Sequence, residues 1–587
     1  MSTVTNSRKL PEIKVLTALR GVKSTALSNQ IVAGVTLAAL MIPLNIGYAQ
    51  VAGLPPVVGL YGAILPMIVF GLFSTSRNLI AGPDAPIAAL IGSVLVLICP
   101  ASDPKYVELA YGLAIVSALF FFAFWLFRLG FLANFLSKAV LVGFISGLGI
   151  EVLTSQVQKI MGISVEADHW LVEVWDMIKS IPEANIYCLV IGIGAIVLIR
   201  GMKRYTPRIP GALVALVLAT LAVEALNLDQ LGVSVLGQIP QGLPSFHLPQ
   251  IGLTDYVSLI PGALAVVGIT MAEGLLVARK YASKYDDQIE PDMELFAFGA
   301  ANLATGLTGG LVVGSSASRT AAMDNAGMRS QIPSIVGAIV VAIVLMFLTG
   351  LLALVPNAVL AGIVANAVLA LIEVSELRSL YRQRRSEFWI AAVCLATVLA
   401  LGPLPAVIIA FLLSAIDVVR RAARPRVGVL RSLPDGQGYY ASHDLENIAP
   451  ERGLILFRFG AELFFANANF FQECVKRIVE KAGAPVRWLV LDAEAISDID
   501  TTGAEALEAI LEYLEGRGIT FALARAEPPI PHLLERYRLT EKIGPGRLYA
   551  TNRAAVQAFL LETGESTPID MTKDQPGAEG DVSDQIE

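Results

Sequence analysis

The sequence predicts a polytopic α-helical membrane protein of about fourteen crossings, followed by a small cytoplasmic α/β domain. Three observations predict it. Only 16% of the 587 residues are charged, and the mean hydropathy is +0.65; soluble domains carry about 25% charged residues. Apolar runs follow one another from residue 31 to residue 419. After Arg420 the hydrophobic pattern changes to short strands and amphipathic helices. The net charge of −7 says little about the membrane region. Residues 562–587 hold eight acidic residues against Lys573, and the rest of the chain sums to zero.

The first thirty residues carry Arg8, Lys9, Lys14, Arg20 and Lys23. Residue 31 then opens a full span, not the short core and small-residue site of a cleavable signal peptide. A spanning helix needs roughly 20 apolar residues. The longer runs among 31–49, 109–127, 186–199, 211–226 and 332–354 meet that requirement, whereas 81–98 and 310–326 are short or broken by Gly and Pro. Basic residues gather in 8–23, 203–208, 279–284, 378–385 and 420–431, and none lies in 224–255. Placing the basic loops in the cytoplasm puts both termini there. The expected location is therefore a plasma or inner membrane, crossed many times.

Arg420, Arg421, Arg424 and Arg426 close the membrane region, and Pro434-Asp435-Gly436 with Gly438 marks a turn-rich linker. Strands are expected at 454–459 (LILFRF), 487–492 (RWLVLD) and 519–524 (ITFALA), with amphipathic helices at 467–481 and 501–515. The expected domains are a cytoplasmic N-terminal segment 1–28, a transmembrane domain 29–420 and a linker 421–435. An α/β domain 436–562 and a disordered acidic tail 563–587 follow.

Cys99, Cys188, Cys394 and Cys474 are far apart, as are His169, His247, His443 and His532. That spacing offers neither a disulfide framework nor a metal cluster. No nucleophile–base pair or phosphate loop suggests an enzyme, and no catalytic residue, metal, cofactor or nucleic-acid partner is expected.

Two broken segments recur at one interval. Ala81-Gly82-Pro83-Asp84-Ala85-Pro86 opens one short apolar helix and Val313-Gly314-Ser315-Ser316-Ala317-Ser318-Arg319 another, with Gly82 and Gly314 separated by 232 residues. A span with polar residues at its middle precedes each, holding Pro43 and Asn45 in one case and Glu273 in the other. Interrupted helices at matching positions of repeated halves point to a transporter site. A helix that begins inside the membrane leaves its first N–H groups unpaired, and these with the positive dipole end favour an anion. Two such starts facing each other need few cationic side chains.

These residues resemble the SulP (sulfate permease) family of anion transporters over nearly the whole chain. Ile42-Pro43-Leu44-Asn45-Ile46-Gly47-Tyr48-Ala49 with Ala52-Gly53-Leu54-Pro55-Pro56 and Gly59-Leu60-Tyr61 is similar to the family's first span and loop. Ser74-Thr75-Ser76-Arg77 before Gly82-Pro83 resembles the start of its third span, and Ala272-Glu273 with Ala278-Arg279 its eighth. Gly314 to Ala321 with Asn325-Ala326-Gly327 resembles the tenth, and Leu491-Asp492 with Ile499-Asp500-Thr501-Thr502-Gly503 a STAS domain.

The resemblance implies fourteen segments as two inverted repeats of seven, divided into core and gate subdomains. It also implies elevator-like alternating access and a homodimer. Tyr48, Ala85, Ser316, Ala317 and Ser318 would line the anion site, with Arg319 adding positive potential. The simpler readings are helix capping for the two serines and a core salt bridge for Arg319. Glu273 is costly inside an apolar span unless neutral or paired, and its expected partner is Arg319 or a coupled cation, a proton or sodium. Departing from the family, Leu44 replaces a common Gln. Asp84 stands in the first turn of the third-span half-helix, either as a structural cap facing away or as a second proton-binding group beside the substrate.

Thr502 resembles a phosphorylated position of bacterial STAS proteins, which would offer a cytoplasmic regulator a handle; the simpler reading has Thr501 or Thr502 capping the helix. The leading function is proton-coupled sulfate uptake, with bicarbonate, chloride or a C4-dicarboxylate as alternative anions. A STAS-linked membrane sensor without net transport is the alternative of another class.

Overall fold

The computed structural model describes residues 13–19, 27–131, 137–165, 169–206, 209–433, 439–443, 448, 450 and 452–564. Most of the expected N-terminal segment, the turn at 434–438 and the tail from 565 onward lie outside the described residues. The chain forms two compact units, Met1–Ser414 and Ala415–Glu587.

The first unit is helical. Its first half holds α1 (Leu27–Val51), α2 (Pro56–Tyr61), α3 (Leu65–Phe73), a two-residue strand β1 (Ala81–Gly82) and α4 (Ala85–Val96). It continues through α5 (Lys105–Leu126), α6 (Lys138–Met161), α7 (Trp170–Lys179), α8 (Ile186–Tyr205) and α9 (Gly211–Leu226). The second half repeats the order with α10 (Leu253–Tyr285), α11 (Pro291–Thr308), strand β2 (Gly314–Ser315), α12 (Ala317–Asn325) and α13 (Ile332–Phe347). Then come α14 (Thr349–Ala353), α15 (Asn357–Val368), α16 (Val374–Gln383), α17 (Arg385–Leu401) and α18 (Pro403–Ala423), the last running into the second unit.

Among the described residues, seven helical stretches are long and apolar enough to cross a membrane: α1, α2 with α3, α5, α6, α8, α10 and α18. The shorter apolar helices α4, α9, α13 and α15 accompany them. At 1.5 Å per residue, α4 and α12 reach only about 18 and 14 Å, too short for a hydrocarbon layer of about 30 Å. Each therefore needs the extended residues before it to complete a passage.

The helices sort into two groups. In the first, α1 packs on α2, α4 and α13, α5 on α10 and α11, and α11 on α3. In the second, α6 packs on α15 and α17, and α8 on α9 and α15. Each half of the sequence contributes to both groups. They meet where α1 touches α9 and α15, and where α4 touches α6. α1 and α10 are largely buried, whereas α8 and α18 expose most of their apolar surface, including Val190, Val197, Ile408 and Ile416. Apolar exposure on that scale suits contact with lipid.

The second unit is an α/β sandwich around a six-stranded sheet. Its strands are β3 (Val427–Ser432), β4 (Tyr439–Ser442), β5 (Leu454–Phe459), β6 (Trp488–Asp492), β7 (Thr520–Ala524) and β8 (Leu548–Tyr549), in the order β4-β3-β5-β6-β7-β8. Strands β5 to β8 run parallel, and β3 pairs antiparallel with both β4 and β5. The near-continuous apolar runs of β5 and β6 are what a strand buried on both faces requires. One face is covered by α19 (Ala468–Glu480), α20 (Thr501–Glu515), α21 (Ile530–Arg536) and α22 (Leu539–Ile543), the other by α23 (Asn552–Thr563). Burial pushes the Cys474 thiol of α19 up to about 11, so it is a packing group and not a reactive one.

Two expectations are corrected here. Residues 427–432, expected in the linker 421–435, form β3 and belong to the sheet. The cap of α20 is Asp500, whose Oδ1 accepts from Gly503 N at 2.7 Å, and not Thr501 or Thr502. Asp500 wins because its backbone is extended at the N-cap, the geometry in which a carboxylate reaches the third helical amide. Both threonines are exposed in the first turn, with no hydrogen bond from either hydroxyl to a described residue.

Candidate functional site

The two broken segments meet. β1 and β2 pair antiparallel, with Ala81 opposite Ser315 and Gly82 opposite Gly314, and the pairing sets the starts of α4 and α12 against each other. In these helices the first ladder bonds are Ala88 N to Asp84 O at 2.9 Å and Thr320 N to Ser316 O at 3.0 Å. The amides of Ala85 and Ile87, and of Ala317, Ser318 and Arg319, precede those bonds and have no partner within their helix. Pro86 contributes no N–H. Two helix N-termini thus point their unpaired amides and positive dipole ends into one small region.

Neighbouring helices hold this arrangement in place. Glu294 of α11, fully buried, accepts from Ser74 Oγ (2.9 Å), Thr75 N (2.7 Å), Thr75 Oγ1 (2.6 Å) and Ser76 N (2.9 Å). Gln331 donates to Ser76 O and Leu79 O, both at 2.8 Å. On the other segment Asn302 of α11 brackets Val313, donating to its O and accepting from its N at 2.9 Å each. The far end of α12 is fixed through Asp324, which takes Lys284 at 2.6 Å, Tyr285 at 2.5 Å and Arg329 at 3.2 Å.

Gly82 and Gly314 make the close approach possible. A Cβ on Gly82 would stand 3.2 Å from Arg319 Nη1, and one on Gly314 would stand 2.8 Å from Ile87 Cγ1. Ile87 is 2% exposed and cannot give way. Gly314→Ala is therefore expected to cost about 1–3 kcal/mol by overpacking. It should also lower initial uptake by up to about a hundredfold, the scale of a 1 Å misplacement; melting temperature and initial uptake rate check both.

Charged and polar side chains converge on the helix starts. Arg319, 2% exposed, donates through Nη1 to Asn45 Oδ1 at 3.2 Å and through Nη2 to Pro83 O. Its Nη2 also lies 3.8 Å from Asp84 Oδ1. Asp84 occupies the N-cap of α4, but its side chain does not cap the helix. It faces the opposing helix instead, where Ser316 Oγ donates to Oδ1 at 3.3 Å. Ser316 and Ser318 hydroxyls are 3.4 Å apart. Ser316 is fully buried and Ser318 exposed, so a hydroxyl chain runs from open space to the buried carboxylate.

Glu273 of α10 is 9% exposed, with Asp84, Arg319, Ser315 and the Ala317 amide as electrostatic neighbours. The expectation that Arg319 pairs with Glu273 is corrected: Arg319 pairs with Asp84, and no cation among the described residues lies within 4 Å of Glu273. The capping reading of Asp84, Ser316 and Ser318 is corrected too, since no side chain caps either half-helix. Tyr48 of α1 is 2% exposed and has Asp84 and Arg319 as its charged neighbours. Ala85 is buried, Ala317 is exposed, and Leu44 packs into the apolar core.

Among the described residues ten buried side-chain polar atoms lack a partner, and four of them belong to this site: Asn45 Nδ2, Thr270 Oγ1, Ser315 Oγ and Arg319 Nε. Thr270 lies one turn before Glu273 and within 3.4 Å of a Cβ placed on Gly314. Buried polar atoms are rarely left unpaired, because each costs about 1–3 kcal/mol. All four can donate, and an oxyanion offers only acceptors. Thr270 escaped the sequence reading, as did the positioning residues Glu294, Asn302 and Gln331, and Ser315 was read as part of the broken segment but not of the site. The one signal for Thr270 was its place one turn from Glu273 on the same helix face.

Comparison with known proteins bears on the family and the fold. The profile of the Sulfate permease family matches residues 27–394, and that of the STAS domain residues 447–555. A probable sulfate transporter of Mycobacterium tuberculosis is 37% identical over 533 residues, covering 91% of this chain and 95% of the relative. Sulfate transporter 1.1 of Arabidopsis thaliana is 28% identical, covering 92% of this chain and 86% of the relative.

In fold, the murine Solute Carrier 26 family member A9 anion transporter matches with a TM-score of 0.85 at 20% identity, over 95% of this chain and 96% of that one. The transmembrane domain of the cyanobacterial bicarbonate transporter BicA matches with a TM-score of 0.58 at 23% identity, over 66% of this chain and 98% of that domain. With a family profile that spans well over half of its length and a full-length relative above one-third identity, the chain belongs to the sulfate permease family.

Proposed function

We propose that this chain is a secondary active transporter that carries sulfate with protons across a plasma or inner membrane. Membership of the sulfate permease family makes it a transporter and not an enzyme. The observation that carries the sulfate reading is the pair of opposed half-helix starts, α4 and α12, surrounded by four buried unpartnered donors. Tyr48, Ala85, Ser316, Ala317 and Ser318 line the anion, and Arg319 supplies positive potential. The names of the relatives favour sulfate; bicarbonate, chloride and C4-dicarboxylates are the competitors to be tested.

Charge bookkeeping favours proton coupling. Asp84, Glu273 and Arg319 sum to −1 when both carboxylates are ionised, to zero with one proton and to +1 with two. A dianion is repelled by the first state and attracted by the last, so protons and sulfate bind together. Glu273 is the principal proton carrier, and Asp84, reached through Ser318 and Ser316, is the second.

The site lies within the first helix group, on α1, α4, α10 and α12. That placement supports an elevator in which this group, the core, moves the site past the second group, the gate. The halves form fourteen segments as two inverted sets of seven, with both termini cytoplasmic and the chain acting as a homodimer. Residues 29–420 make the transport domain, and the STAS domain receives a cytoplasmic regulator, with Thr502 exposed as its phosphorylation point.

Radiolabelled sulfate uptake into proteoliposomes tests this reading. Uptake is expected to rise several-fold with an inward proton gradient and to fall with excess unlabelled sulfate more than with bicarbonate, fumarate or chloride. Uptake indifferent to the gradient would remove proton coupling. No uptake of any of these anions would leave the sensor reading.

A further inference from the structure

We infer that α7 (Trp170–Lys179) stands in one leaflet of the bilayer beside the last two turns of α6 and presents Leu171, Trp175 and Ile178 to lipid acyl chains. Two side-chain contacts fix its height and direction. Trp170 Nε1 donates to Thr154 Oγ1 at 2.9 Å, and Glu173 accepts from Gln158 Nε2 at 2.6 Å. Thr154 lies seven residues before the end of α6 at Met161, and Gln158 three. At 1.5 Å per residue those levels are about 10 and 5 Å below the end of the helix. α7 therefore rises alongside α6 with its first turn the deeper. Its 10 residues span about 15 Å, half of a hydrocarbon layer of about 30 Å.

The start of α8 marks where lipid begins. Asn185 N donates to Met161 O at 2.9 Å, which sets the first turn of α8 level with the end of α6. From there Ile186 and Val190 are 62% and 65% exposed, so an apolar outer surface opens at that level and continues along the span. Thr154 and the first turn of α7 lie deeper than this boundary.

The outward face of α7 has the chemistry of a lipid contact. No residue of the helix is buried. Leu171, Trp175 and Ile178 recur at i, i+4 and i+7 on one stripe and are 70%, 60% and 50% exposed. Glu173, on the opposite side, is half-buried against α6. A surface helix in water turns its charges out and its apolar stripe in; α7 does the reverse, and acyl chains take the stripe out of water. Its last turn suits a membrane boundary. Lys179 Nζ stands 5.4 Å from the centroid of the Trp175 ring and pairs with Asp176 at 3.2 Å, a ring at the boundary with a lysine reaching past it to the headgroups. Because α7 packs on α6 and α17, it gives the second helix group a foothold in lipid besides its spans.

Spin labels on Leu171→Cys, Trp175→Cys and Ile178→Cys, each in the full chain in phosphatidylcholine nanodiscs, test the placement; the four native cysteines are buried and stay unlabelled. Each label is expected to meet oxygen, which dissolves among acyl chains, more often than a water-soluble nickel chelate. The ratio of the two should fall several-fold from residue 171 to residue 178, because α7 rises out of the leaflet. Trp175 emission, taken as the difference between wild type and Trp175→Phe, gives an independent reading. It should fall about twofold or more in lipid brominated on the acyl chain, as for an apolar face sunk at the headgroup–acyl boundary, and hardly at all with aqueous iodide. Preference for the chelate at Leu171, a ratio that is level or rises from 171 to 178, or emission quenched by iodide instead of bromine would overturn the inference. So would shielding from both quenchers, the result expected if a second copy of the chain covers the stripe. Neither assay reads transport, so both stand whichever anion is carried.

Discussion

Glu273→Gln is expected to remove proton-driven accumulation of sulfate while leaving the folded chain and its anion site in place. A gradient of two pH units contributes about 2.7 kcal/mol for each proton carried, which is roughly a hundredfold in accumulation ratio. If Glu273 carries one of two protons, the variant should lose about that factor at a fixed gradient. Equilibrium exchange of labelled against unlabelled sulfate, which needs no net proton movement, should fall far less.

Gln keeps the volume and stays beside the same Ala317 amide and Ser315 hydroxyl, so packing is preserved. The variant also fixes the site charge at the value that protonated Glu273 would give. Sulfate binding should then be less pH-dependent, and each sulfate should move more net negative charge across the membrane. Accumulation unchanged by the substitution under the same gradient would sink the assignment.

How much of this was legible in the sequence depends on how local each feature is. The broken helices were visible because Gly82-Pro83 and Gly314 interrupt apolar runs, and the opposition of their starts was expected from the 232-residue repeat. The three strands and two helices expected in the STAS domain lie within a residue or two of their observed bounds because β5, β6 and β7 are apolar runs between turn signals, whereas β4, β8, α21, α22 and α23 were not expected. β3 was missed because Val427–Ser432 stands between an Arg-rich stop and a Pro-Asp-Gly turn, and its strand identity comes from pairing with β4 and β5.

Side-chain partnerships were the least legible. Arg319 and Glu273 are the residues a reader pairs first, yet Asp84 is the carboxylate beside the guanidinium. The β1–β2 register decides that choice by placing Pro83 and Asp84 against the first turn of α12. Glu294 and Asn302 look like ordinary polar residues of a helix. Their roles follow from two loops that approach α11 from opposite halves of the chain.

The pairing of Arg319 with Asp84 gives the second large expected effect. Both side chains are almost fully buried, at 2% and 5% exposure, and neither can be hydrated if its partner is removed. Arg319→Gln is expected to destabilise the transport domain by about 3 kcal/mol or more, because it leaves a buried carboxylate uncompensated. It should also abolish uptake, since two carboxylates would then face the anion without a cation. Asp84→Asn should cost less stability than Arg319→Gln, because Arg319 keeps Asn45 Oδ1 and Pro83 O as acceptors. It should also lower the sulfate concentration for half-maximal uptake and flatten its pH dependence, the opposite of what loss of a structural cap would do.

The double substitution separates structure from transport. Asp84→Asn with Arg319→Gln removes the uncompensated charge, so stability should return to within about 1 kcal/mol of the wild type, an interaction term of roughly 2 kcal/mol. Uptake should stay absent, because the cation at the anion site is gone. Melting temperatures of the four proteins in detergent and their uptake rates in vesicles complete the cycle. Additive stability effects would mean that the 3.8 Å approach is not a working ion pair. Uptake restored in the double variant would mean that Arg319 serves only to neutralise Asp84, and that the half-helix amides and hydroxyls hold the anion without it.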